Sequence, residues 1–343
     1  VETTTGLDGH QVRASAPLPD KAFANQIEIR VIGQMRSGNH VIVDWLRSLY
    51  GQRSVCFLNN ILHGDCDPFL NCEGFDHTHA VRPIKRRDLK AVDRDVLILS
   101  YEDRKSLDQG DVDLLTSVLG QEYAQGLAAY VGNSRHHFDV VIVRDPFNCL
   151  ASRLALLRQR GGMGGLEDIG MIKRHWKEIA RLIHAPAVKG DRERVVISYN
   201  RWLVDQAYRS DLGGRLLATA EQGIPDQISR YGGGSSFETE TQSVTPLTFG
   251  DLVRKAPKLL SLHRWKYLSL YAKRLRRKPT ANTDQFLKRW QLMTADSEYR
   301  KLMADQELLE LSESIFGEIP GTRQFVAEAI QATSLDQPSS AAN

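Results

Sequence analysis

A short β-branched run, then a Gly- or Pro-bearing polar stretch, then a helical pattern: this unit recurs along the chain and leaves few folds open to it. Its strands are Ile27 to Ile32, Val96 to Leu99, Val140 to Val143 and Val195 to Ser198, each four to six residues long. Val55 to Asn60 reads as a further short strand. Mostly apolar strands separated by helices belong to a parallel sheet, because a parallel neighbour is reached by a crossover whose helix covers a face. Helical spacing is clearest over 39 to 50, where Val41, Ile42, Trp45, Leu46 and Leu49 line one side. Helices are also predicted over 147 to 159, 168 to 184, 201 to 219, 284 to 293 and 299 to 315. The expected architecture is a three-layer α/β/α fold on a central, mainly parallel sheet.

The 343 residues suffice for two domains or for one large α/β domain with insertions. No internal repeat or long linker interrupts them. The polar stretches 1 to 24 and 333 to 343 read as tails, which leaves a single domain over 25 to 332. An apolar share of 41% and a charged share of 25% exclude a collagen-like, coiled-coil or wholly disordered chain. No apolar run is long enough for a membrane span. The start at Val1 has no basic-then-apolar leader, and the four cysteines (Cys56, Cys66, Cys72, Cys149) are too few and uneven for a disulfide framework. A cytoplasmic protein with reduced thiols is expected. The net charge of +3 gives no reason to expect nucleic acid as a partner. It is unevenly spread: residues 254 to 278 hold ten Lys or Arg and no acid, so the remainder sums to −7. That basic segment, interleaved with Trp265, Tyr267 and Tyr271, reads as a groove for an anionic acceptor, a membrane-surface helix, or a solvated helix face.

Open α/β sheets bind ligands at the carboxyl ends of their strands, so the strand-to-helix junctions carry the functional argument. Ile27 to Ile32 is followed by Gly33-Gln34-Met35-Arg36-Ser37-Gly38-Asn39-His40 and then directly by a helix. Two glycines with four residues between them, linking a strand to a helix, have the spacing of a phosphate loop, in which backbone N–H groups and the helix N-terminus surround an anion. The expected fold is therefore of the P-loop nucleotide-binding type. The Gly-Lys-Ser/Thr ending of ATP sites is absent. Asn39 and His40 take its last positions, the hydroxyl that holds Mg²⁺ is missing, and Arg36 supplies a cation from within the loop. Such a loop suits a nucleotide whose transferred group needs no metal, as in sulfuryl transfer; the bland alternative is an ordinary turn with an exposed Arg. After Val143 comes Arg144-Asp145-Pro146-Phe147-Asn148-Cys149-Leu150-Ala151-Ser152. Pro146 suits a first helical turn, which puts Ser152 about two turns in. Arg144 and Ser152 read as holders of a second phosphate, or Arg144 as the partner of a buried carboxylate such as Asp145.

Taken together, Arg36-Ser37-Gly38 after the first strand and Arg144-x-Pro146-x₅-Ser152 after a later one resemble the two phosphate-binding motifs of the sulfotransferases that use 3′-phosphoadenosine 5′-phosphosulfate (PAPS). The resemblance implies that Arg36, Ser37, Gly38, Asn39 and His40 surround the 5′-phosphosulfate and that Arg144 and Ser152 hold the 3′-phosphate. Tyr199 stands where family members often carry Tyr-Glu-Asp, which implies a contact with adenine. Arg230 to Ser236, with Gly233, Gly234 and Ser235, is similar to the segment that closes over the 3′-phosphate; by itself it reads as a flexible linker. The motifs cover about residues 27 to 236. Val41 occupies a position where an adenine-stacking Trp is often found, which leaves stacking to Trp45 or another ring.

The implied reaction is in-line, metal-independent transfer of a sulfuryl group from PAPS to a hydroxyl or amine of an unidentified, potentially anionic acceptor, with 3′,5′-ADP (PAP) as product. The alternatives are a P-loop phosphotransferase or kinase and a noncatalytic nucleotide- or polyanion-binding protein. Arg36 is the expected catalytic cation, because such transfers rely on positioning and charge neutralisation. Two residues compete as general base. His63 follows the short strand, in Asn59-Asn60-Ile61-Leu62-His63-Gly64-Asp65, and Glu102 ends Ser100-Tyr101-Glu102. His63, Cys66, Cys72, His77 and His79 fit no standard zinc spacing, so no metal is expected and the stretch reads as a polar acceptor-site loop. Gly161-Gly162-Met163-Gly164-Gly165 reads as a lid hinge or a surface loop.

Overall fold

Strand-forming runs and amphipathic helices alternate in the computed structural model, which describes residues 23–51, 53–62, 67–69, 72–75, 81–82, 94–102, 118–159, 166–186, 192–218 and 287–335. The strands are β1 (Asn25–Gly33), β2 (Val55–Asn59), β3 (Glu73–Phe75), β4 (Val81–Arg82), β5 (Arg94–Glu102), β6 (Ser134–Val143) and β7 (Glu193–Ser198). The helices are α1 (Asn39–Leu49), α2 (Gln121–Val131), α3 (Pro146–Gln159), α4 (Leu166–His184), α5 (Tyr199–Val204), α6 (Gln206–Arg215), α7 (Ser297–Met303), α8 (Gln306–Phe316) and α9 (Thr322–Leu335), with a 3₁₀ turn at Arg289–Met293. The sheet order is β4-β3-β2-β5-β1-β6-β7. Its five central strands, β2 to β7 in that order, are parallel, and β3 and β4 add an antiparallel edge beyond β2.

The period of two along each strand sorts the apolar side chains into two cores. Ile27, Ile29 and Val31 of β1, with Val96, Ile98, Val140, Ile142, Val195 and Ile197, pack under α1, α5 and α6. Leu97, Leu99, Val141 and Val143 point the other way, under α2, α3, α4 and the C-terminal helices. The result is a helix–sheet–helix sandwich, as expected. Helix α1 buries Ile42, Trp45, Leu46 and Leu49 of the predicted 3.6-residue stripe together with Val43, while Val41 is only half-buried. A fully buried side chain of this size contributes about 1.5–3 kcal/mol.

Two predicted helices are each broken by an aspartate. The stretch 201 to 219 divides at Asp205, whose carboxylate caps α6 by accepting Tyr208 N–H at 2.9 Å. The stretch 299 to 315 divides at Asp305, which caps α8 by accepting Leu308 N–H at 3.0 Å. An Asp side chain competes for backbone donors and so favours such starts over helix interiors. Of 284 to 293, residues 284 to 286 lie outside the described residues, and 289 to 293 form the 3₁₀ turn. Helices α2 and α9, which the periodicity did not single out, complete the second face. No helix among the described residues is long and apolar enough to cross a membrane. Among the described residues, Cys56, Cys72 and Cys149 form no disulfide with one another.

Candidate functional site

The carboxyl end of β1 occupies the middle of the sheet. Gly33 pairs with Glu102 of β5 on one side and Ile142 of β6 on the other. From β1 the chain crosses toward β2, and from β6 it crosses the opposite way to β7, so the order reverses between β1 and β6. A crevice opens at such a switch point. Three functional segments converge there: Gly33–Gly38 after β1, Glu102 ending β5, and Arg144 just after β6.

The loop is tightly determined from within. A Cβ on Gly33 would come within 2.3 Å of Asn39 Oδ1. Asn39 lies in the first turn of α1, and its Nδ2 donates to Gly33 O (3.2 Å), Gln34 O (3.3 Å) and Glu102 Oε1 (3.2 Å), while Oδ1 accepts Ser37 Oγ–H at 2.7 Å. Its amide therefore staples the loop and ties it to β5. Gln34 fastens the same loop to α4 by donating to Ile172 O at 2.8 Å. Arg36 adopts φ +76°, a conformation that costs a non-glycine residue energy and is retained where the surroundings enforce it. His40 Nε2 lies 3.8 Å from Glu102 Oε1.

Arg144 crosses from β6 to the loop. Its Nη1 donates to Arg36 O at 3.1 Å, and its guanidinium sits 5.2 Å from the centroid of the Tyr199 ring. The neighbouring Asp145 is engaged elsewhere. It accepts Asn148 N–H at 2.8 Å, caps α3, and pairs with Asn200, whose Nδ2 donates to Oδ2 at 2.8 Å. Asn148 carries the connection onward: Nδ2 donates to Leu287 O at 2.8 Å, and Oδ1 accepts Trp290 N–H at 3.1 Å. Phe147 packs on Trp290 at 5.7 Å. These contacts dock the 3₁₀ turn against the start of α3 and bring in Arg289, a site residue that sequence reasoning missed. Arg289 is buried, and burial together with the positive charges of Arg144 and Arg36 pushes its guanidinium down to about 9. Tyr199 opposes that shift. The only local signal is a buried-looking Trp290/Met293 spacing beside an Arg, which does not separate Arg289 from other cations.

Tyr199 forms a wall of the site. A Cβ on Gly38, itself at φ +99°, would meet Tyr199 Cε2 at 2.3 Å, and Trp202 stacks on the Tyr199 ring at 6.0 Å. Trp45, weighed above as an adenine-stacking ring, is fully buried and packs edge-on against Trp202 at 5.8 Å. It belongs to the core under α1. Ser152 is buried on α3. Leu62 is held by Pro68 O and Tyr123 Oη at the same end of the sheet, but the next residue, His63, lies outside the described residues. So do Gly233, Gly234, Ser235, the 161 to 165 glycines and the basic segment 254 to 278. No group of three or more potential metal ligands occurs among the described residues. No protein-family model and no curated protein matches the chain.

Proposed function

We propose that the protein transfers a sulfuryl group from PAPS to a hydroxyl or amine of an acceptor, without a metal. The observation that carries this reading is the meeting of a glycine-bounded loop that carries Arg36, at a helix N-terminus, with two arginines from distant parts of the chain, Arg144 and Arg289. Backbone N–H groups there suit a phosphosulfate, and Arg36 suits the charge that grows on the leaving phosphate. Arg144, Ser152 and Arg289 suit a second phosphate, the group that separates PAPS from ATP. Burial and the positive charges of Arg144 and Arg36 push the Arg289 guanidinium down, and a dianion placed between these cations would offset that repulsion. Asn39 stands where an ATP site has its Lys, with its side chain committed to the loop and to Glu102, and His40 stands where the Mg²⁺-binding hydroxyl would be, which weighs against an ATP-dependent phosphotransferase.

Thermal unfolding in EDTA tests the donor site. 3′,5′-ADP should raise the melting temperature far more than 5′-ADP, and Arg144→Ala or Arg289→Ala should erase the difference. Each loss should cost about 1.5–3 kcal/mol, roughly ten- to a hundredfold in affinity. Equal stabilisation by both nucleotides would sink the second-phosphate assignment. Stabilisation by ATP only when Mg²⁺ is present would favour a phosphotransferase instead.

A further inference from the structure

Glu102 stands beside the loop, but its carboxylate is turned inward. Its Oε1 accepts the Asn39 amide at 3.2 Å, and Asn39 is itself fixed by Gly33, Gln34 and Ser37. The same oxygen lies 3.8 Å from His40 Nε2. Solvent reaches the ring more than the acid, with side-chain exposures of 24% and 8%. Resting on the reading above, we propose that His40 is the proton acceptor in the transfer reaction and that Glu102 acts through it as a positioning residue.

The electrostatics of the loop explain why the pair is needed. An imidazole in the first turn of a helix, just after Arg36, sits in a field that disfavours its charged form. A carboxylate 3.8 Å behind it offsets that field and favours uptake of a proton by the ring. Among the other charged groups of the site, Arg36 lies in the loop four residues before His40, Arg144 reaches that loop at Arg36 O, and Arg289 is near enough to Arg144 and Arg36 for their charges to lower it. Asp44, one turn along α1, is directed to Arg47 at 3.6 Å. In the reaction the acceptor oxygen or nitrogen bonds to sulfur, and the S–O bond to the 5′-phosphate breaks with its electron pair remaining on the phosphate. The acceptor's proton passes to His40, and from the partly exposed ring to water.

Two measurements on the full chain test this. The first is an NMR titration of the ten histidines, with His40 assigned as the signal missing from His40→Gln. Glu102→Gln keeps an oxygen for Asn39 but removes the charge, and it should lower the His40 midpoint by about one pH unit or more. The second is single-turnover release of sulfate from saturating PAPS, with water as the acceptor. His40→Gln should slow release at least a hundredfold, and imidazole should restore activity to His40→Ala, which a purely structural role does not predict. An unmoved midpoint, or His40→Gln turnover within threefold of the parent, overturns the assignment. If the parent releases no sulfate, the titration alone decides. Failure of the parent to be stabilised by 3′,5′-ADP overturns the donor reading itself, whereas stabilisation with an unmoved midpoint overturns only the base.

Discussion

At Gly38 the backbone adopts φ +99°, and an added methyl would enter the Tyr199 ring at 2.3 Å. Gly38→Ala should therefore lower stability by about 2–4 kcal/mol, combining left-handed strain with overpacking, and should abolish stabilisation by 3′,5′-ADP. Gly170 is the contrasting case, lying inside α4 with open space around it. Gly170→Ala should raise stability by about 0.5–1 kcal/mol. Urea unfolding of the two variants gives both signs in one experiment. The distinction is one of backbone and surroundings, since Gly38 precedes a helix at positive φ against a ring, whereas Gly170 lies within one in open space. Gly38 is legible from its spacing to Gly33, but the ring that enforces it comes from the end of β7.

Helix α8 begins where it does because Asp305 has two functions. It caps the helix through Leu308 N–H and pairs with Lys173 (3.0 Å) and Lys177 (2.7 Å) of α4. Burial raises its carboxyl, but Lys177, the cap bond and Lys173 outweigh that and hold it below the ordinary range. Asp305→Ala should cost about 1–2 kcal/mol, and Asp305→Asn, which keeps the cap, clearly less. Denaturant midpoints of the two variants separate capping from the ion pairs. An isolated Asp within an apolar period reads as part of a continuous helix. Whether the chain turns there depends on the docking of α8 against α4, which local spacing does not encode.

Across the whole molecule, the amino ends of the central strands hold a buried charged network. Arg30 of β1 makes two bonds to Asp139 of β6, at 2.7 and 2.8 Å, and Arg192 bridges Asp139 (2.8 Å) and Glu28 (2.9 Å). Burial alone would raise the Glu28 carboxyl. Nearby His137, Arg192 and the Ser134 hydroxyl outweigh burial and bring it from 4.5 to about 2. Because its folded-state pKa is depressed, Glu28 adds stability above about pH 4.5 and loses it as the pH falls toward 2. The loss is on the order of 3 kcal/mol, and Glu28→Gln should flatten this part of the acid-unfolding profile. Urea midpoints measured from pH 7 down to pH 3 give the slope.

The strand–helix alternation by itself determined the three-layer parallel fold, because each apolar stripe has a period that only one kind of element buries. It also marked the Gly33–Gly38 loop and the Arg144 junction, since both lie in contiguous sequence. Strand order was settled only in three dimensions. It places β5 and β6 on either side of β1, so that Glu102, His40, Arg36 and Arg144 gather around one loop. It also lets Glu28 and Arg30 lie buried in a central strand, where their neighbours across the sheet satisfy their charge. Arg289 enters the site through Asn148, a hydrogen-bond connection between segments far apart in the chain. Periodicity reports which face of an element is buried, but partners meet through long-range docking, and that has no local signature.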